Sequence, residues 1–274
     1  MARPFIRLVA LIAACTAASP AAARPQRIVS LNLCADQYLM ALADPGQIAA
    51  LTPYARDPQM SAGARQAQRL PVARGHAEEV FSLSPDLILA SPFRQREALA
   101  AVEVGRVPVV DVPPAESYDD IVAQIRSVAR AVGHIERGEA LIRRMNAALA
   151  ALPRPGKRAV AAYYQRRGYM TGTHTLIDEL MGRVGLINLA EKLGKPALAR
   201  VSLEEMVAAR PDYLIVESAT DRIADQGTEM LHHPALAGIP RLRLPQAWTV
   251  CGGPAYVAAA RSLAEQIART GAQR

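Results

Sequence analysis

The chain has 274 residues, of which 51% are hydrophobic and 21% charged. That composition suits a globular protein with room for one large domain or two of ~100–150 residues each, and it excludes a disordered or fibrous chain. The formal charge of +7 is scattered, with no basic block or recognition motif of the kind a nucleic-acid partner requires.

Residues 1–23 read as an export leader. Arg3 and Arg7 give a positive start, Leu8 to Ala14 an apolar stretch, and Ala21-Ala22-Ala23 a small-residue cleavage site. The stretch is too short to span a membrane, which takes ~18 apolar residues or more. Cleavage after Ala23 removes two arginines and leaves a mature charge of +5. A rival processing site is Ile12-Ala13-Ala14-Cys15, which has the form of a lipobox with an acylated cysteine. Either route exports the protein, so a periplasmic location is expected, free or lipid-anchored through Cys15.

In chain order, Arg27–Leu31 predicts a strand, Asp36–Ala43 a helix and Ile48–Leu51 a second strand. Glu78–Ser84 and Gln95–Val104 predict helices, and Leu87–Ala90 and Val107–Val112 further strands. Asp119–Val132 and Glu136–Leu152 carry helical apolar stripes on either side of Gly133, and Pro153-Arg154-Pro155-Gly156 ends the second. The α/β rhythm then returns. Ala159–Tyr164, Asp212–Val216 and Leu242–Leu244 predict strands, and Thr175–Gly182 and Ala255–Ala268 helices. The expected fold class is therefore α/β, with two similar lobes, parallel-type sheets and a stiff helical connector. The divisions expected are 1–23 (leader), 24–116 (N-terminal lobe), 117–153 (connector) and 154–274 (C-terminal lobe).

Two lobes are expected because one segment occurs twice. Ala77 to Ala90 is echoed by Leu203 to Val216 at an offset of 126 with no gap: two glutamates, a short apolar helix pattern, Pro-Asp and an apolar run. Pro108 to Pro113 and Pro240 to Pro245 repeat at an offset of 132. Ser202-Leu203-Glu204-Glu205 has the capping-box spacing, so Glu205, and Glu79 by analogy, is expected to reach back to its own helix start. Glu78 and Glu204 are left as exposed carboxylates at the same place on each lobe, either facing a partner or merely solvated. Pro85-Asp86 and Pro211-Asp212 read as helix stops followed by strand openings.

The ordered set formed by Arg27–Leu31, Glu78–Ala90, Glu136–Leu152 and Ser202–Val216 resembles the substrate-binding proteins of bacterial ABC importers for cobalamin and ferric siderophores. The resemblance covers nearly the whole mature chain. It implies two α/β lobes joined by one long rigid helix, small lobe motion, a metal-chelate ligand held in the cleft, and delivery to an inner-membrane permease. It also implies that Glu78 and Glu204 dock onto permease arginines, on a monomeric binding protein.

Ligands of open α/β sheets sit beyond the carboxyl ends of the strands. Those loops are Asn32–Ala35, Thr52–Asp57, Ala73–His76 and Ser91–Arg94 in the first lobe. In the second they are Gln165–Thr171, Ser218–Arg222 and Gln246–Pro254. Ligand-binding candidates are Asn32, Cys34, Tyr54, Arg56, Arg74, Tyr164, Arg166, Tyr169, Trp248 and Cys251, with Arg167 as a further cation. Cys34 and Cys251 depart from the family pattern. Three readings stay open for them: an interlobe disulfide, a thiolate pair for a soft metal complex, or two buried unpaired residues. His76, Tyr54 or Tyr164 could serve a haem as axial ligand. His232-His233 reads as a surface turn, and Gly252-Gly253-Pro254 as a small anion nest. No Gly-x-Ser-x-Gly, His-Glu-x-x-His or P-loop occurs, so a binder is expected, with no catalytic residues, no resident cofactor and no dedicated metal ligands. A redox or metal-handling protein built on the two cysteines is the competing class.

Overall fold

The computed structural model describes residues 24–91, 107–153, 158–223 and 225–271. The segment expected to be a leader, with Cys15 and Ala23, lies outside the described residues. So do the Gln95–Val104 helix, most of the Ser91–Arg94 loop and the Pro155-Gly156 stop.

The first lobe contains β1 (Ile28–Ser30), α1 (Leu33–Leu42), β2 (Ile48–Ala50), α2 (Ala64–Ala67), α3 (Ala77–Ser82), β3 (Leu87–Ala90) and β4 (Val109–Asp111). Its four strands pair in the order β2-β1-β3-β4, all parallel. Next come α4 (Tyr118–Ala131) and α5 (Ile135–Ala150). The second lobe contains β5 (Ala159–Tyr164), β6 (Tyr169–Thr171), α6 (Leu176–Arg183), β7 (Leu186–Asn188), α7 (Leu189–Lys192), β8 (Leu198–Arg200), α8 (Leu203–Ala209), β9 (Tyr213–Glu217), α9 (Gln226–Glu229), β10 (Arg241–Leu244) and α10 (Tyr256–Gly271). Here the order is β10-β9-β5-β6-β8, with β7 also on β5. This sheet is not purely parallel. β6 runs antiparallel to both β5 and β8, because a tight hairpin at Arg166–Gly168 turns the chain back. That turn places Arg167 at φ 59° and Gly168 at φ 76°. A side chain at Gly168 would also strike Met230 and the Val201 carbonyl, at 2.6 and 2.9 Å.

The sequence repeat is a repeat of backbone geometry. Ile88 pairs with Val109, and Leu214 with Arg241, its counterparts at offsets 126 and 132. Ser84 and Arg210, each just before a Pro-Asp, are both left-handed at φ 46°. The Asp that follows fastens the start of its lobe's first strand. Asp86 accepts from the Arg27 and Gln26 backbone N–H groups at 2.9 and 2.7 Å, and Asp212 accepts from Val160 N–H at 2.8 Å. The expected helix stop and strand opening are therefore one device, used twice.

The connector consists of the two helices expected on either side of Gly133. Gly133, at φ 80°, lets the chain fold back, and α5 returns along α4. Arg126 pairs with Glu139 at 2.7 Å, and Tyr118 Oη donates to Asn146 Oδ1 at 2.7 Å. Gly138 is required for the close approach, since a Cβ there would lie 2.6 Å from that of Ala129. At the second lobe, Tyr118 N–H donates to Glu179 Oε2 at 2.5 Å. The Arg183 guanidinium lies 5.0 and 5.7 Å from the Tyr118 and Tyr256 ring centroids. One apolar core runs through both lobes by way of this hairpin, with Ile28 and Leu39 at one end, Ile121 and Ile125 between, and Ile215 and Leu263 at the other.

The lobes are also joined directly. Cys34, in the first turn of α1, is disulfide-bonded to Cys251 across 217 residues of chain. Tyr38 Oη, one turn further along α1, donates to the Gly252 carbonyl at 2.7 Å. Replacing both cysteines with serine should lower the unfolding free energy by ~2–5 kcal/mol, mainly by freeing the unfolded chain. Urea melts with and without reductant check this: reductant should destabilise the native protein and leave the double variant unchanged.

Candidate functional site

The disulfide fixes where the cleft lies. Cys34 follows β1 and Cys251 follows β10, so the carboxyl ends of the two sheets face each other. The 249–254 segment crosses to the first lobe, and its glycines serve contact with protein. A Cβ on Gly252 would stand 2.4 Å from that of Ala115. Gly252 and Gly253 are absent from the positive-φ residues, so the alternation that builds an anion nest is not there. The pairing also overturns the thiolate reading, because neither sulfur is available as a soft-metal ligand.

On the first-lobe wall, Asn32 is the N-cap of α1, not a free loop residue: its Oδ1 accepts from Ala35 N–H at 2.8 Å. Its Nδ2 is buried without a partner. Asp36 is fully buried and receives Thr52 Oγ1 at 2.6 Å and Thr52 N–H at 3.1 Å. It thereby anchors the turn Pro53–Arg56, which carries Tyr54 with 61% of its surface exposed. Arg56 serves that turn and not a ligand, donating to the Ala67 and Leu70 carbonyls at 3.2 and 2.6 Å. Arg74 and His76 are exposed beside α3.

On the second-lobe wall, Tyr164 is not in the cleft. It is fully buried in the second lobe's own core cluster, with its hydroxyl donating to the Val201 carbonyl at 3.0 Å, and burial lifts its pKa to about 12. The opposite face of the strand carries Tyr163, which is buried in the core shared by both lobes. Its hydroxyl meets Thr249 Oγ1 at 3.2 Å. Gln165 links Glu217 and Thr171, donating to the first and accepting from the second, both at 3.2 Å. Glu217 is buried at the carboxyl end of β9. The signal for it was visible: an acidic residue directly after the apolar Tyr213–Val216 run. Arg166 is tied to Asp225. Tyr169 is 38% exposed, with the Arg200 guanidinium 5.7 Å from its ring centroid. Trp248 is half-buried against the shared core. His232 bonds the Thr220 carbonyl at 2.7 Å and His233 caps a short turn, so that pair is structural. Among the described residues no group of three or more His, Cys, Asp or Glu is placed to hold a bare metal ion.

The paired glutamates divide in both lobes, with one exchange of duty. Glu79 accepts from Arg74 and Gly75 N–H at 2.7 and 3.2 Å, closing its helix start as expected. Glu205 does not reach back: its carboxylate pairs with Lys195 at 2.7 Å. Glu204 does the local work, and its own backbone N–H and then the Ser202 hydroxyl hold its carboxyl below the usual range. Glu78 and Glu204 are nonetheless both exposed, and both stand at the first turn of a helix that leads into a parallel strand. Such a helix runs against its strand, so its start lies on the cleft side of the lobe.

A sequence model of the periplasmic binding proteins matches residues 28–243. The chain belongs to that family. A vitamin B12-binding protein of Pectobacterium atrosepticum is 27% identical over 269 residues, covering 93% of this chain and 91% of that one. The periplasmic heme-binding protein RhuT of Roseiflexus sp. RS-1 superposes with a TM-score of 0.67 at 25% identity, over 88% of this chain and 97% of that one. The vitamin B12-binding protein BtuF of Vibrio cholerae superposes with a TM-score of 0.65 at 17% identity, over 90% and 98%, which speaks to the fold. Among the described residues no helix is long and apolar enough to cross a membrane.

Burial raises the Asp36 carboxyl from 3.8 to about 6. The folded state therefore holds this proton more tightly than the unfolded chain does. Its contribution to stability falls as pH rises from about 4 to about 6. Asp36→Asn removes that decline, so the urea midpoint of the variant relative to the native protein should rise across this window.

Proposed function

We propose that the chain is an exported capture protein. It holds a bulky metal chelate between its lobes and delivers it to an inner-membrane ABC permease, without chemical turnover. The observation that carries the reading is the facing of the two sets of strand ends across a covalently bridged cleft, in a chain aligned end to end with vitamin B12-binding relatives. The chemistry of the walls supports a chelate decorated with amides. Gln165, Thr171 and Thr249 present hydroxyl and amide groups, Tyr54 and Tyr169 present exposed rings, and the buried Glu217 disfavours an anionic group nearby. A corrinoid fits that lining best. Haem is the second reading, favoured by the RhuT likeness and by the exposed Tyr54 and Tyr169, whose phenolic oxygens suit ferric iron.

Trp248 is the only tryptophan in the sequence, so its fluorescence reports on the cleft without interference. Titration with cyanocobalamin should give saturable quenching in the micromolar range or tighter. Saturation by haemin alone would make the cargo a haem, saturation by a ferric hydroxamate alone a siderophore, and the absence of any saturable response would overturn chelate capture.

Glu78 and Glu204 are assigned to permease docking. Two matched carboxylates on one side of a two-lobed protein suit a partner with two-fold symmetry. Charge reversal at both, Glu78→Lys with Glu204→Lys, should abolish uptake in cells while leaving ligand affinity unchanged. Retained uptake would remove the assignment. The protein is taken to act as a monomer, and the mass of the exported chain distinguishes a start at Arg24 from an acylated Cys15.

A further inference from the structure

Each docking glutamate has a companion that the fold does not explain. Three residues after Glu78 stands Phe81, and three after Glu204 stands Val207. The two apolar residues are themselves counterparts at the offset of 126, and both are exposed, at 44% and 37%. A spacing of three on a helix puts the carboxylate and the apolar side chain on one face, a turn apart. The face that the fold buries is marked by different residues, Val80 and Met206, which are also counterparts and are both fully buried. Single exposed apolar residues are ordinary on protein surfaces. Here the same pair, an exposed glutamate and an exposed apolar residue one turn on, appears on both lobes, with the carboxylate at the cleft-side start of each helix. Beside the second pair, a groove of about 670 Å³ opens along α8, lined by Leu203, Glu204, Val207, Ala208, Arg210 and Ala235.

We propose that each permease contact is a two-part unit, Glu78 with Phe81 and Glu204 with Val207, that receives a permease segment carrying a cation beside an apolar side chain. This rests on the docking role given to the two glutamates and adds a dry component to it. The carboxylates steer and orient, and the apolar groups hold once water is expelled. The occupant is a membrane permease presenting the same segment twice, because an exposed carboxylate and an exposed apolar residue recur at matched positions on both lobes. The units are unequal. Phe81 projects from the first lobe, whereas on the second the groove beside Val207 gives the partner's apolar group room to enter.

The test is binding of ligand-free protein to the cognate permease complex in nanodiscs, read by biolayer interferometry across a series of salt concentrations. Three forms are compared: native, Phe81→Ser with Val207→Ser, and Glu78→Gln with Glu204→Gln. Burying two such side chains predicts that the serine variant binds at least about tenfold more weakly at every salt concentration, with the native salt slope retained. The glutamine variant should lose the salt slope. A third variant, Phe81→Leu with Val207→Ile, should restore native affinity, which separates apolar burial from a local folding defect. Serine-variant affinity within twofold of native, alongside a weakened glutamine variant, would overturn the apolar component and leave docking by charge intact. Native affinity and native salt slope in the glutamine variant would instead overturn the docking reading itself.

Discussion

The structure depends on one junction, where the 249–254 segment of the second lobe meets the first turns of α1. Three interactions of different kind coincide there: the Cys34–Cys251 bond, the Tyr38 hydrogen bond to the Gly252 carbonyl, and the close seating of Gly252 against Ala115. Together they set the distance between the two sheets at the floor of the cleft. The helical hairpin sets their relative orientation from the other side, through Tyr118, Glu179, Arg183 and Tyr256. With both supports in place and one core running through the lobes, a wide hinge closure around a ligand would have to break packing that joins them. Recognition then falls to the loops, and Asp36 shows how one of them is held. A buried carboxylate takes both the side chain and the backbone of Thr52, and so fixes the turn that presents Tyr54.

Much of this architecture was legible because it is written twice. The run from the paired glutamates to the Pro-Asp and the next strand recurs without a gap, and the structure returns the same left-handed residue, the same strand fastening and the same pairing register in both copies. What the sequence could not convey was local direction. The Arg166–Gly168 hairpin reverses the chain through two positive-φ residues, so the antiparallel β6 and β8 were unmarked by apolar pattern. The connector reads as two helical stripes, and only the positive φ of Gly133 and the tight seat of Gly138 show that the second folds back along the first.

The site was legible at the level of loops and less so at the level of side chains. Strand ends pointed to the right segments, but the alternation of a strand sends its two adjacent tyrosines to opposite faces, and both are buried there. Tyr164 enters the second lobe's own core and Tyr163 the shared core, with its hydroxyl on Thr249. Arg56 shows the same limit, since a cation in a cleft loop proved to be spent on two carbonyls of its own lobe. The glutamate pairs were separable by position, yet their duties depended on a neighbour no periodicity reveals. Lys195 draws Glu205 away, and Glu204 curls onto its own helix start.

The disulfide also sets an order of events in the protein's life. Its two sulfurs lie 217 residues apart, one near the front of the mature chain and the other just before the last helix. The third cysteine, Cys15, lies in the segment expected to be a leader. A chain threaded outward from its amino end presents Cys34 early and holds it without its mature partner until almost all the rest has followed. The cleft floor is therefore completed late, once nearly all of the chain has emerged, and in an oxidising compartment. A binding surface finished only after translocation cannot engage cargo on the side from which the chain departed, so the covalent bond gives a sense of direction to a protein whose task is to carry in one direction.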